Sequence, residues 1–194
     1  MKRIVVATKN EGKLNEIRPA LTQLGYEVYS LLDYDMPDIE ETGRTLRENA
    51  LIKARTIRKV TDYSVLADDS GLEVEALKGA PGVHSKRFSD SARDHDNNEL
   101  LLKKMANKEN RAAAFKTIMV LITKDDKEYA FEGTLHGYIH TVMEGSEGFG
   151  YDSVFIPVGH SKTLATLGMK VKNEISHRRR ALRQVVEFLR NETV

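Results

Sequence analysis

A chain of 194 residues, 40% hydrophobic and 30% charged, is long enough for one substantial core or two lobes. Its net charge of +1 argues against a protein that coats nucleic acid, and the absence of cysteine excludes disulfides, thiolate metal sites and a cysteine nucleophile. No run approaches 18 apolar residues, and the Lys2–Ala7 opening is too short for a signal-peptide apolar region, so a cytoplasmic location without a membrane partner is expected.

In chain order, Ile4–Ala7 reads as a buried strand, followed by the loop 8–13 and a helix with Leu14, Ile17, Leu21 and Leu24 on one face, stopped by Gly25. Pro19 is cheap there only in the first turn. Tyr26–Leu31 alternates as a second strand. Thr45 with Glu48 has the capping-box spacing and predicts a helix to about Lys59. A strand over 64–67 ends at the paired acids Asp68 and Asp69, and 72–76 reads as another. Ser91 with Asp94 offers a helix start, with Leu100, Leu101 and Met105 as its apolar face. Residues 112–123 and 128–139 read as two long strands joined at Asp125-Asp126, a hairpin. A Gly-rich loop over 145–150 leads to a short strand, 153–156, and 173–189 reads as the last helix. The pattern predicts the α/β class: a mixed β-sheet flanked by helices, with a long hairpin, folded as a single domain over 1–194 with two lobes.

Four constellations carry chemistry. The first is Thr8, Lys9, Asn10, Glu11, Gly12 and Lys13 between strand and helix, where backbone N–H groups and a helix N-terminus suit phosphate. A plain connecting loop fits the same residues. The second is acidic. Asp68 and Asp69 close an apolar run, where ligands of α/β sheets bind, and Glu40, Glu41 and Asp69 together suit a hard cation such as Mg²⁺. Glu40 and Glu41 equally suit the dipole of the helix that follows. They belong to an acidic segment with Asp33, Asp35, Asp38 and Glu48, which contrasts with the basic run 170–183. The third is Gly148-Phe149-Gly150-Tyr151-Asp152, whose glycines permit close approach to a flat ligand and whose aromatics offer a ring to stack. A structural turn with Phe149 in the core competes. The fourth is Lys172, Asn173, Ser176, His177 and Arg178 near a helix start, able to hold anions, with Arg179, Arg180 and Arg183 reading as a solvated face.

Taken in order, TKNEGK, ETGRTLRENALIKA, ADDSGLEVEALKGAPGVHSKRFS, GFGYDSVF and KNEISHRRRAL resemble the non-canonical purine nucleoside triphosphate pyrophosphatases, the inosine/xanthosine triphosphate pyrophosphatase family. Lys9, Leu46, Ser153 and Val171 depart from the family pattern, where Gly, Phe, Pro and Glu are usual. The resemblance implies two α/β lobes around a long central cleft, a homodimer, and Mg²⁺-dependent hydrolysis of ITP, dITP or XTP to the monophosphate and pyrophosphate. It implies that residues 8–13 wrap the phosphates, that Lys53 lies near them as a catalytic group, and that Asp69 is proton acceptor and metal ligand. Glu40 or Glu41 would complete the metal site. Ser70, Phe149, Gly150, Tyr151, Asp152, Lys172, His177 and Arg178 would contact the nucleotide, with donors from His177, Arg178 or backbone N–H on the purine 6-keto group. The rival expectations are a related pyrophosphatase preferring modified pyrimidines and a nucleotide-binding module without turnover. A single-stranded nucleic-acid binder is disfavoured by the charge and by the absence of Trp.

Overall fold

The computed structural model describes residues 2–34 and 39–192. Six strands form one mixed sheet in the order β2-β1-β3-β4-β5-β6, from β1 (Lys2–Val6), β2 (Tyr26–Ser30), β3 (Ser64–Val74), β4 (Ala112–Ile122), β5 (Glu128–Ile139) and β6 (Phe155–Pro157). Among the described residues five α-helices accompany them: α1 (Glu11–Gln23), α2 (Leu46–Arg58), α3 (Asp94–Met105), α4 (Leu164–Ile175) and α5 (His177–Asn191). β1 pairs in parallel with both β2 and β3, and β5 pairs antiparallel with β6. The expected α/β class and mixed sheet with flanking helices are observed. No helix among the described residues is long and apolar enough to cross a membrane.

The chain divides into two compact units, one of residues 1–69, 117–133 and 178–194, the other of 70–116 and 134–177. The first is a three-layer arrangement dictated by strand alternation. Ile4, Val6, Leu66, Met119 and Leu121 bury against Leu14, Ile17 and Leu21 of α1 and Ala181, Leu182, Val185 and Leu189 of α5. Their neighbours Val5, Ala7, Val65, Ala67, Val120 and Ile122 bury instead with Ala50, Ala54 and Ile57 of α2. The second unit packs Leu72 and Val74 of β3 with Leu101 and Met105 of α3, Phe115 of β4, Leu135 and Ile139 of β5, and Tyr151, Val154 and Phe155.

Local chemistry explains most boundaries. Asn10 caps α1, its side chain accepting from Lys13 N at 3.0 Å. Thr45 caps α2 by accepting from Glu48 N at 3.1 Å, and the Glu48 carboxylate reaches back past the cap to accept from Arg44 N at 2.6 Å, a variant of the capping box. Pro19 lies inside α1 rather than in its first turn; the stripe Leu14, Ile17, Leu21 carries the helix past the missing N–H.

Three expectations are corrected. β3 is one strand of 11 residues that runs straight through Asp68 and Asp69, not two strands separated by a polar exit. Gly71 makes this continuity possible: a Cβ there would collide with the Gly82 carbonyl and meet Ser85 Oγ at 3.3 Å. Ser85 Oγ accepts from Leu72 N at 2.9 Å, so the backbone stays satisfied. The final helix is two helices. Thr163 starts α4 by accepting from Thr166 N, Gly168 interrupts it at φ 84°, and extended Ser176 separates it from α5. The last short strand is displaced to Phe155–Pro157. Asp35 and Asp38 of the acidic segment lie outside the described residues.

Replacing Gly71 with Ala forces a Cβ onto backbone rather than onto a flexible side chain, which is overpacking of a filled site. Urea denaturation should show a loss of about 1–3 kcal/mol. A midpoint equal to that of the wild type would mean that the strand has room to move.

Candidate active site

The first unit gathers seven charged side chains around the middle of β3. Asp68 lies two residues after Leu66 and Asp69 two after Ala67, so alternation sends Asp68 toward α1 and α5 and Asp69 toward α2. The contacts follow that rule. Lys13 Nζ lies 2.9 Å from Asp68 Oδ2, and Arg178 Nε lies 3.5 Å from the same oxygen. Arg178 Nη1 donates to both carboxylate oxygens of Glu16 at 3.0 Å. On the other face, Lys53 Nζ donates to Glu41 Oε1 at 2.6 Å and to Asp69 Oδ1 at 3.3 Å. Asp69 Oδ2 is buried and has no hydrogen-bond partner among the described residues.

Charge count explains the titration of the two neighbours. Burial opposes ionisation of Asp68, but Lys13, Arg178 and Lys53 outweigh it and hold the carboxyl well below the ordinary aspartate range. Asp69 is pushed up, first by burial and then by Glu41 and Asp68, with Lys53 and Lys13 only partly compensating. Burial lowers Lys13 despite Asp68. Lys53 is likewise desolvated, yet Asp69, Asp68 and Glu41 together raise it. Arg178 is also desolvated, and Glu16 and Asp68 raise it. Adjacent residues thus reach opposite states: Asp68 a fixed anion, Asp69 a more basic carboxylate.

The loop 8–10 leads into α1, with Thr8 Oγ1 accepting from Asn10 N at 3.1 Å. Thr8 is buried, Lys9 and Glu11 are exposed, and Asn10 and Gly12 are half-buried. Glu40 is exposed, whereas Glu41 is half-buried on Lys53 and so is the acid brought to Asp69's partner. The trio Glu40, Glu41 and Asp69 is not gathered as a ready cluster. Among the described residues, the His or acid side chains with three ligand atoms within 4.8 Å of one another are His95, Asp96 and Glu99 on α3.

The second unit carries its own polar centre. Asp152 Oδ2 accepts from Phe149 N at 2.9 Å and from Lys172 Nζ at 2.5 Å. Lys172 sits in the last turn of α4, 2% exposed, and its ammonium lies 3.9 Å from the centroid of the Phe149 ring, a cation–π contact. Gly148, at φ 86°, is required twice over, since a Cβ there would run into the Asp152 carboxylate. The aromatics divide differently from a simple shelf. Tyr151 is the core residue, its hydroxyl donating to Ser85 O at 2.8 Å and pushed up by burial, while Phe149 is half-buried. His177 is buried and stacks on Phe115, with ring centroids 4.8 Å apart and planes 9° from parallel. Ser70 is half-buried on β3.

Glu16 is the residue sequence reasoning missed in the first unit. It lies off the apolar stripe of α1, and its partner is 162 positions away, so no local spacing announces it. Arg178 is 2% exposed and lies between Glu16 and Asp68 within the charged network.

Comparison with known proteins is consistent across sequence and structure. A family model described as the Ham1 family matches residues 4–188. A dITP/XTP pyrophosphatase of Bacillus licheniformis is 44% identical over 193 residues, spanning 97% of this chain and 98% of its own. A dITP/XTP pyrophosphatase of Geobacter sulfurreducens is 45% identical over 97% of each chain. The Staphylococcus aureus Ham1 protein structure matches with a TM-score of 0.90 at 39% identity, over 98% of this chain and 100% of that one.

Removing one partner of a buried charge network leaves the others uncompensated. Asp68→Asn should therefore lower stability by about 3–5 kcal/mol at pH 7 in urea denaturation. Because the folded-state value of Asp68 lies below the unfolded one, its contribution is complete above pH ~4 and decays as pH falls through the folded value. The gap between wild type and variant should narrow only in that acid range. A gap that is constant from neutral to strongly acid pH would contradict the assignment.

Proposed function

The chain belongs to the Ham1 family, and from that premise we propose that it hydrolyses the non-canonical purine nucleoside triphosphates ITP, dITP and XTP to the monophosphate and pyrophosphate. The observation that carries the reading is Asp69. It is a buried carboxylate with raised basicity, one oxygen lacking a hydrogen bond, beside a lysine shared with Glu41. A buried acceptor left without a donor is costly unless a ligand supplies one. Hydrolysis of a phosphoanhydride needs a group that takes a proton from the attacking water, and Asp69 suits that role.

The same residues suit a divalent cation. Hard carboxylate oxygens are what Mg²⁺ selects, and Asp69 with Glu41 would hold it. When bound, Mg²⁺ supplies Lewis-acid polarisation of phosphate oxygens and neutralises charge building on the leaving group. Lys53, held between the two acids, balances their charge and keeps the Asp69 carboxylate oriented. The Asn10-capped N-terminus of α1 offers backbone N–H groups to phosphate oxygens. Lys13 is committed to Asp68 and sets the positive potential of that loop.

In the second unit, Phe149 and the Lys172–Asp152 pair supply a flat face and fixed polar groups suited to a purine. Arg178 acts within the network by holding Asp68, so discrimination at the 6-keto group falls to backbone N–H donors and His177. A keto group accepts from such donors, whereas the adenine amine leaves them unsatisfied. The motif resemblance carries the remaining parts of the proposal, a homodimer acting in the cytoplasm.

A panel of ITP, dITP, XTP, GTP, ATP and a modified pyrimidine triphosphate, read by pyrophosphate release with Mg²⁺ and with EDTA, tests the reading. Turnover should be strongest with ITP, dITP and XTP, with ATP rejected by a factor approaching ~10⁴, and EDTA should abolish it. Equal turnover of ATP, or preference for the pyrimidine, would overturn the substrate assignment. Binding without pyrophosphate release would make the protein a nucleotide-binding module.

A further inference from the structure

Asp94 and Asn98 stand one turn apart on α3 and have no part in the chemistry above, yet both close on one residue. Asp94 Oδ2 accepts from Gly150 N at 2.7 Å, and Asn98 Nδ2 donates to Gly150 O at 2.8 Å. The same Nδ2 donates to Asp94 O at 2.8 Å, which ties the two grips to one helical turn. Asn98 is 3% exposed, so its bond to Gly150 is shielded from water. Gly150 sits at φ 63°, and a Cβ there would meet nothing within 4 Å. Space does not require the glycine; its backbone conformation does.

Gly150 is the joint between the half-buried Phe149 ring and the anchored pair Tyr151 and Asp152. Glycine loses more freedom on ordering than any other residue, so an untethered joint would let the ring swing away from Lys172. The grip on the peptide N–H is charge-assisted, the stronger class of hydrogen bond. We infer that Asp94 and Asn98 are positioning residues for base recognition, fixing Gly150 so that Phe149 and the Lys172–Asp152 pair are presented in one arrangement. This rests on the reading that residues 148–152 meet the purine. Asp94 and Asn98 act through the Gly150 backbone, away from the carboxylate at Asp69 that is assigned the chemistry, so the loss should fall on KM and on base discrimination rather than on kcat.

Steady-state kinetics with ITP and ATP on Asp94→Ala, Asp94→Asn, Asn98→Leu and Phe149→Ala test the inference. Asp94→Ala should raise KM for ITP about tenfold, the effect of losing one hydrogen bond to a charged group, and should lower the ITP-over-ATP ratio of kcat/KM with kcat within about twofold. Asp94→Asn keeps an acceptor for Gly150 N and should stay within about threefold of wild type. Asn98→Leu keeps the volume and removes the donor, and should reproduce the rise in KM. If Phe149→Ala raises KM while Asp94→Ala and Asn98→Leu leave both KM and the ratio unchanged, the inference is overturned and the loop reading stands. A fall in kcat at constant KM overturns it as well. If Phe149→Ala itself leaves KM unchanged, the loop reading fails and takes the inference with it.

Discussion

A carboxylate with 1% exposure cannot persist as an anion in a protein interior without cations against it, and Asp68 has two within 3.5 Å. Lys13 comes from the first turn of α1 and Arg178 from the first turn of α5, so one buried charge fixes three elements: β3, the loop 8–10 with α1, and α5. Glu16 then satisfies the far side of the Arg178 guanidinium. The arrangement is a closed polar network set on an otherwise apolar face. Its value lies in register and position, since a hydrophobic set of the same volume would serve stability as well or better. The loop at Thr8–Lys13 gains its fixed place from it.

The second consequence is the separation of two adjacent acids. Strand geometry gives Asp68 and Asp69 opposite faces, and the helices on those faces carry different charge. α1 and α5 present two cations to Asp68, whereas α2 presents one lysine that Asp69 must share with Glu41. Burial raises the basicity of Asp69, with Glu41 and Asp68 adding to it, and the shared lysine offsets this only in part; Oδ2 has no hydrogen-bond partner among the described residues. Pairs of titratable groups pushed apart by their surroundings commonly divide structural and chemical work. Here the division follows from the period-2 alternation of one strand.

Much of this was legible in the sequence, and the failures have physical causes. The strands near 4–7, 26–31, 112–123 and 128–139 and the helix carrying Leu14, Ile17 and Leu21 declare themselves through period, and the helix begun by Thr45 through capping, both local properties. β3 read as two pieces because a pair of acids looks like a strand exit; only the cations supplied by α1, α2 and α5 make them tolerable inside a strand. α4 was not legible because Gly168 interrupts its pattern, and extended Ser176 separates what reads as one helix from Asn173 to Leu189. The roles of Phe149 and Tyr151 within their loop depend on Ser85, whose carbonyl takes the tyrosine hydroxyl from 66 positions away. The pairing of Arg178 with Glu16 was not legible because the two are 162 positions apart.

The central claim is that Asp68 holds the fold and Asp69 does chemistry, although they are neighbours on one strand. Asp69→Asn, read for turnover of ITP and for the thermal midpoint on the same preparation at neutral pH, tests it most directly. Because the raised value of Asp69 means that its ionised form opposes folding near neutrality, the account predicts a midpoint no lower than that of the wild type. It predicts at the same time a loss of kcat of ~10²-fold or more, the range for removal of a general base. A variant that turns over ITP at the wild-type rate, or one that loses its fold along with its activity, would contradict the account.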